Sequence, residues 1–118
     1  MNTQWYETKN IPDHPNYVVA SNGYVYRKNG DKLRRVKTDL SNGYERVDLD
    51  NRKLAVQRLV AEAFCERQRS DQDRVFHIDG DLRNNAATNL CWGSASEIQI
   101  WSHYTISYRK LYFPPKGE

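Results

Sequence analysis

Residues 75–92 read Val-Phe-His-Ile-Asp-Gly-Asp-Leu-Arg-Asn-Asn-Ala-Ala-Thr-Asn-Leu-Cys-Trp. They hold one histidine, His77, an acidic turn at Asp79-Gly80-Asp81, and three asparagines, Asn84, Asn85 and Asn89. Histidine is the side chain whose unperturbed pKa lies nearest neutrality, so a positioned imidazole can take a proton from water at physiological pH. The two aspartates flanking Gly80 suit turn capping better than metal binding, since Asx side chains cap their own backbone two residues on. Asn84 and Asn85 are expected to satisfy loop backbone groups, with a phosphate contact as their functional alternative.

The elements around these residues follow from their neighbours. Val75, Phe76 and Ile78 make a short apolar run that reads as a strand carrying His77. Asp79-Gly80-Asp81 is a turn signal, because Gly accepts positive φ. Asn89-Leu90-Cys91-Trp92 reads as a second strand. Ser94 followed by Glu97 has the spacing of a capping box, which opens a helix expected to run to about residue 103. The order is strand, loop, strand, helix.

This order, with His-Ile-Asp-Gly, Asn-Asn and Asn-Leu-Cys-Trp in sequence, resembles the core of the HNH endonucleases, in their homing-type branch. The resemblance implies an α+β fold: N-terminal antiparallel hairpins and a helix, followed by a ββα-metal (His-Me finger) unit. It also implies hydrolysis of DNA phosphodiester bonds with a divalent metal, Mg²⁺ or Mn²⁺, as cofactor. Such chemistry needs a base and a cation that neutralises charge growing on the phosphate. By the resemblance, His77 is the base and Asn89, twelve positions on, holds its ring.

The metal positions depart from the family pattern. Phe76 stands before the base, where the family has Asp, His or Asn, and Ile98 follows Glu97, where the family has Asn. Neither an aromatic ring nor an alkyl chain coordinates a hard cation. The alternatives are a substitute ligand, with Asp79, Asp81, Gln99 or His103 as the available donors, or loss of the metal. Loss is the favoured expectation, because a ligand has to come from a fixed place on the scaffold. Nuclease activity is then expected to be weak or absent.

The N-terminal half adds a second resemblance. Trp5, Ile11-Pro12 and Tyr17-Val18-Val19-Ala20-Ser21-Asn22-Gly23-Tyr24-Val25 look like the nuclease-associated modular DNA-binding motif that precedes many such domains. Physically, these are two alternating runs joined at Ser-Asn-Gly, a hairpin signal. Leu40 to Leu49 repeats the device around Asn42-Gly43, with Glu45, Val47 and Leu49 facing opposite to Tyr44, Arg46 and Asp48. Asp50-Asn51-Arg52-Lys53 is a further turn. Val56, Leu59, Val60, Ala63 and Phe64 then fall at helical spacing, which predicts an amphipathic helix near residues 55–67. The resemblances together cover about residues 5–100.

Length and charge agree with this organisation. A chain of 118 residues is expected to make one compact domain, or one small domain with a satellite hairpin, divided here into a β-rich part, 1–54, and a helix plus ββα part with a C-terminal tail, 55–118. Its formal charge is +3, and that excess lies in residues 1–54. Arg27, Lys28, Lys32, Arg34, Arg35 and Lys37 fall within eleven positions that contain one acid, Asp31, and straddle an Asn29-Gly30 turn. Such a hairpin can present cations to a phosphate backbone, with Tyr24 and Tyr26 beside it to stack or pack. The alternative is a solvated hairpin whose cations protect an edge strand.

The remaining candidates are weaker. His14, framed by Pro12 and Pro15, is expected to be exposed. Trp92, Ile98 and Trp101 are expected to seal a small core beneath the site. Cys65 and Cys91 lack metal-ligand spacing and read as reduced thiols of a cytoplasmic protein. Neither an apolar span nor a signal-peptide pattern occurs, so no membrane partner is expected. Two function classes follow. One is a phage-type, homing endonuclease-like protein acting on duplex DNA; the other is a metal-free HNH scaffold that binds a host or defence protein.

Overall fold

The structure, a computed structural model, describes residues 6–97. Trp5, Ile98, Gln99, Trp101, His103 and the tail at 114–118 lie outside the described residues.

Turn chemistry sets the strand pairing. Asp13, Asn42, Asp50 and Asn51 take positive φ without being glycine, and Gly23, Gly30, Gly43 and Gly80 do so as glycines. Asn, Asp and Gly reach that region most cheaply, and it lets a tight hairpin match the strands' right-handed twist. The first sheet is an antiparallel meander of β1 (Thr8–Ile11), β2 (His14–Ala20), β3 (Val25–Asn29) and β4 (Lys32–Arg35). The second is another meander, β5 (Thr38–Ser41), β6 (Tyr44–Leu49) and β7 (Arg52–Ala55). In β6 the alternation holds as expected: Glu45, Val47 and Leu49 are buried, and their neighbours are not.

Strand β7 runs directly into α1 (Val56–Phe64). This helix is shorter than the expected 55–67, ending where Cys65 turns extended. Val56, Val60 and Ala61 are fully buried, while Leu59, Ala63 and Phe64 pack at the margin of the core. β8 (Arg74–His77) and β9 (Leu90–Gly93) form the third sheet, an antiparallel hairpin, with a 3-10 turn at Ala87–Asn89 leading into β9.

One core serves all three sheets. Ile11, Val19 and Val25 come from the first, Val47 and Leu49 from the second, Leu90 from the third, and Val56 and Val60 from α1 between them. It draws on residues either side of position 54, so the β-rich part and the ββα part share their packing. Trp92 closes one end, with its indole Nε1 donating to the carbonyls of Cys65 at 3.0 Å and Ala61 at 3.3 Å. Cys65 follows the last residue of α1, and its amide donates to the same Ala61 carbonyl at 2.9 Å, so the indole ties down the C-terminal end of the helix. Residues 95–97 are helical, in line with an α+β architecture in which ββ leads into α. No helix among the described residues is long and apolar enough to cross a membrane.

Candidate active site and basic hairpin

The loop between His77 and Leu90 is closed by its own side chains. Asn89 exchanges two bonds with Asp79: its Oδ1 accepts from the Asp79 amide at 3.0 Å, and its Nδ2 donates to Asp79 Oδ1 at 2.9 Å. The same Nδ2 donates to the carbonyl of Asn84 at 2.8 Å. Asp79 Oδ1 also caps the amide of Asp81, and Asp81 Oδ1 caps that of Arg83. Asn84 Nδ2 reaches Asp79 Oδ2 at 3.0 Å. Turn capping is therefore what Asp79 and Asp81 do. Burial pushes the Asp79 carboxyl upward, but bonds from Asn84, Asp81 and Asn89, with the nearby His77, outweigh it and hold the group below its ordinary range.

His77 ends β8 and is 3% exposed. Its Nε2 lies 2.8 Å from Asn85 Oδ1, with Asn85 equally buried. The ring of Tyr44, at the start of β6, stands tilted 6.1 Å away. The ring-holding bond expected of Asn89 is thus made by Asn85, because both ends of the Asn89 amide are spent closing the loop. Asn84 is a loop-closing residue as expected, whereas Asn85 is not. Neither Asn85 nor Tyr44 was singled out for this place by the sequence. Two adjacent asparagines look alike in one dimension, and Tyr44 arrives from a strand 33 positions upstream.

The described residues do not fit a metal. Phe76 pairs with Cys91 across the hairpin and is 8% exposed, so a carbon ring occupies the position where the family places a ligand. Asp79 has both carboxylate oxygens engaged by loop donors. No group of three or more His, Cys, Asp or Glu side chains among the described residues is arranged to hold a cation. Gln99 and His103 lie outside them.

The capping box after β9 is reciprocal. Glu97 N donates to Ser94 Oγ at 3.2 Å, and Ser94 N to Glu97 Oε1 at 3.1 Å. Arg69 Nη2, at 2.6 Å, and the buried Gln72, at 3.2 Å, converge on the same oxygen. The Ser94 amide, then Gln72, with Arg69 adding charge, holds the Glu97 carboxyl below its ordinary range.

The six predicted cations stay together. The β3–β4 register pairs Tyr26 with Arg35, Arg27 with Arg34, Lys28 with Leu33 and Asn29 with Lys32. Partners across a strand pair share a face, so Arg27, Arg34 and Lys32 line one side of the hairpin, and Lys28 and Arg35 the other. All five, and Lys37 beyond, are exposed. Arg35 lies 3.6 Å over the ring of Tyr24, and Tyr26 stacks on Tyr6 at 5.6 Å. Among the described residues none of the six meets a carboxylate within ion-pair distance, whereas Arg46 and Lys53 of the second sheet are both paired with Asp39.

One further expectation changes, and the cysteine reading is unaltered. His14 is buried, not exposed, because it pairs with Ile11 at the start of β2 and its Nδ1 meets Asp50 Oδ2 at 2.8 Å. Cys65 and Cys91 are both free and half-buried.

Comparison with known proteins puts this geometry in a family. No family model matches the chain. It is 30% identical over 106 residues to an uncharacterised HNH endonuclease of Acanthamoeba polyphaga mimivirus, covering 86% of the chain and 31% of that protein. It is 36% identical over 95 residues to the DNA endonuclease I-HmuI of Bacillus phage SP01, covering 75% of the chain and 51% of the relative. The solved structure describing DNA binding and cleavage by the HNH homing endonuclease I-HmuI superposes with a TM-score of 0.70 at 31% identity, over 86% of this chain and 59% of that one. The chain thus spans about a third of the viral relative and about half of the phage enzyme. The sequence likeness, the shared fold and the His-bearing ββ hairpin together support an HNH homing endonuclease-like family for the matched part of the chain.

Proposed function

We propose that this chain is a nuclease-like DNA-binding protein that grips duplex DNA through the β3–β4 hairpin and hydrolyses it weakly or not at all. The observation that carries the binding half is the set of exposed cations on that hairpin with no carboxylate in reach among the described residues, whereas Arg46 and Lys53 of the second sheet meet Asp39. Exposed cations on both faces of this sheet edge, free of ion pairs among the described residues, suit phosphates, which supply sequence-independent, salt-sensitive affinity. The likeness to I-HmuI, an enzyme whose structure concerns DNA binding and cleavage, supports the same partner.

Phe76 supports the second half. A base alone can ready a water, but charge growing on the phosphate then goes uncompensated, and that contribution is often the largest in such reactions. A divalent metal, if bound, would supply this neutralisation; the described residues offer it no fitting donor set.

Binding is tested by fluorescence anisotropy on a labelled duplex across a salt series. The expected affinity is roughly micromolar or weaker at physiological salt. Arg34→Ala with Arg35→Ala should weaken it and flatten the salt dependence by about one unit of slope per lost phosphate contact. Unchanged binding in the double variant would defeat this assignment and favour a host or defence protein as the partner.

A further inference from the structure

The turn that opens β3 touches the loop that holds the candidate base. Gly23 has φ +95°, and a Cβ placed there would lie 2.6 Å from the carbonyl carbon of Asn85 and 2.8 Å from both the Asn85 oxygen and the Ala86 nitrogen. Real Cβ atoms essentially never come so close to backbone, so no other residue fits without moving the loop. Two residues earlier, the carbonyl of Ser21 accepts from the Ala87 amide at 2.8 Å, and the Ser21 hydroxyl accepts from the Glu7 amide at 2.9 Å. Asn22 locks the turn internally: its Oδ1 accepts from the Tyr24 amide, and its Nδ2 donates to the Tyr26 hydroxyl. Residues 21–26 therefore form a braced platform under residues 85–87.

Asn85 spends its side chain on His77. Its Oδ1 faces the ring nitrogen at 2.8 Å, while its Nδ2 is buried with no partner among the described residues. An amide oxygen can only accept, so it selects the tautomer with the proton on Nε2 and leaves the lone pair on Nδ1. We infer that Asn85 and Gly23 are positioning residues for His77: Asn85 fixes the imidazole's tautomer, and the bare backbone of Gly23 lets the N-terminal motif press Asn85 into place. The DNA-binding motif is then a structural part of the site and not only a tether. The inference rests on the proposed base role of His77 only for its catalytic meaning; the ring's state is measured without cleavage.

The test is a long-range proton–nitrogen correlation spectrum of the full chain, labelled with nitrogen-15, recorded where the imidazoles are neutral. His77→Gln identifies the His77 signals among the three histidines. Wild type should show His77 with its proton on Nε2, and Asn85→Asp, which keeps an acceptor oxygen, should preserve that pattern. Asn85→Ala should move both ring nitrogens toward values averaged over the two tautomers, and Gly23→Ala should do the same. Gly30→Ala is the control: Gly30 also has positive φ, at +66°, but nothing lies within 4 Å of its added Cβ, so His77 should not change. Should Gly23→Ala fail to fold, exchange of the Ala87 amide in wild type replaces it; protection comparable to the β8–β9 amides supports the brace, and rapid exchange overturns it. A proton on Nδ1 in wild type, an unmoved ring in Asn85→Ala, or equal effects of Gly23→Ala and Gly30→Ala would each overturn the inference. Plasmid nicking run on the same proteins keeps the two ideas apart: cleavage that ignores His77→Gln removes the base reading and leaves the tautomer result standing.

Discussion

Arg27 of β3 and Arg34 of β4 are direct cross-strand partners, both exposed and on one face of the hairpin, with no carboxylate in ion-pair reach among the described residues. Like charges placed directly opposite each other repel, at a cost of a few tenths of a kcal/mol up to about 1 kcal/mol. Under the proposed DNA contact, the hairpin tolerates this cost because its cations serve a phosphate backbone. Arg34→Gln should therefore hold or slightly raise the melting temperature while weakening duplex binding. Calorimetry and anisotropy on one preparation check the two signs, and a variant that loses stability along with binding would speak against the trade-off.

Restoring the family's ligand types should change both stability and activity. Phe76→Asp with Ile98→Asn puts a carboxylate at a position only 8% exposed, where an unpaired charge is costly. The double variant should melt lower than wild type without metal and recover when Mn²⁺ is added, since a ligand bound to the folded state stabilises it. Plasmid nicking with Mg²⁺ or Mn²⁺ should be weak or absent in wild type and rise in the double variant. Strong wild-type cleavage abolished by His77→Ala would show that donors other than these two positions serve the metal.

Acid should loosen the 79–89 loop. The folded-state pKa of Asp79 is depressed below the ordinary aspartate value of 3.8. Its contribution is therefore fully present above the unfolded pKa, and is lost as pH falls below 3.8 through the folded value. Asp79→Asn removes that dependence and weakens the caps at every pH. Protection of the Asp81 and Asn84 amides, taken relative to the intrinsic exchange rate at each pH between 6 and 3, should fall on the acid side in wild type and vary less with pH in the variant.

The thiols should be slow to react while the protein is folded. Burial, with smaller contributions from Cys65 and Glu97, pushes Cys91 from 9.0 up to about 11, which leaves roughly a hundredfold less thiolate near pH 8. Burial raises Cys65 as well. Iodoacetamide followed by mass spectrometry should label both far faster in denaturant than in buffer. Rapid labelling of Cys91 in buffer would contradict its burial beside β8.

Trp92→Phe keeps most of the apolar bulk but removes the indole donor that serves the Ala61 and Cys65 carbonyls. The Ala61 carbonyl keeps its bond from the Cys65 amide, but the Cys65 carbonyl loses its donor. Leaving a buried acceptor unserved costs about 1–3 kcal/mol, so the melting temperature should drop by several degrees with little change in the circular dichroism of the folded state. An unchanged melting temperature would mean that water replaces the indole.

Much of this was readable from local patterns. Alternation fixed which face of β6 is buried, 3.6-residue spacing placed α1, and Asn-Gly and Asp-Gly pairs marked turns whose positive φ follows from those residues' own steric freedom. The Ser94–Glu97 spacing announced a reciprocal cap, because a capping box spans only four residues. The clustering of six cations around one turn was equally plain. What sequence order could not decide was which distant groups meet. That Asn85 and not Asn89 reaches His77 depends on both ends of Asn89 being taken by the loop, and that His14 is buried depends on Asp50 arriving from the second sheet. Gly23 reads as an ordinary turn glycine until the fold brings the backbone of Asn85 against it. Local rules act through neighbours in the chain, whereas those contacts are set by how three sheets close around one helix.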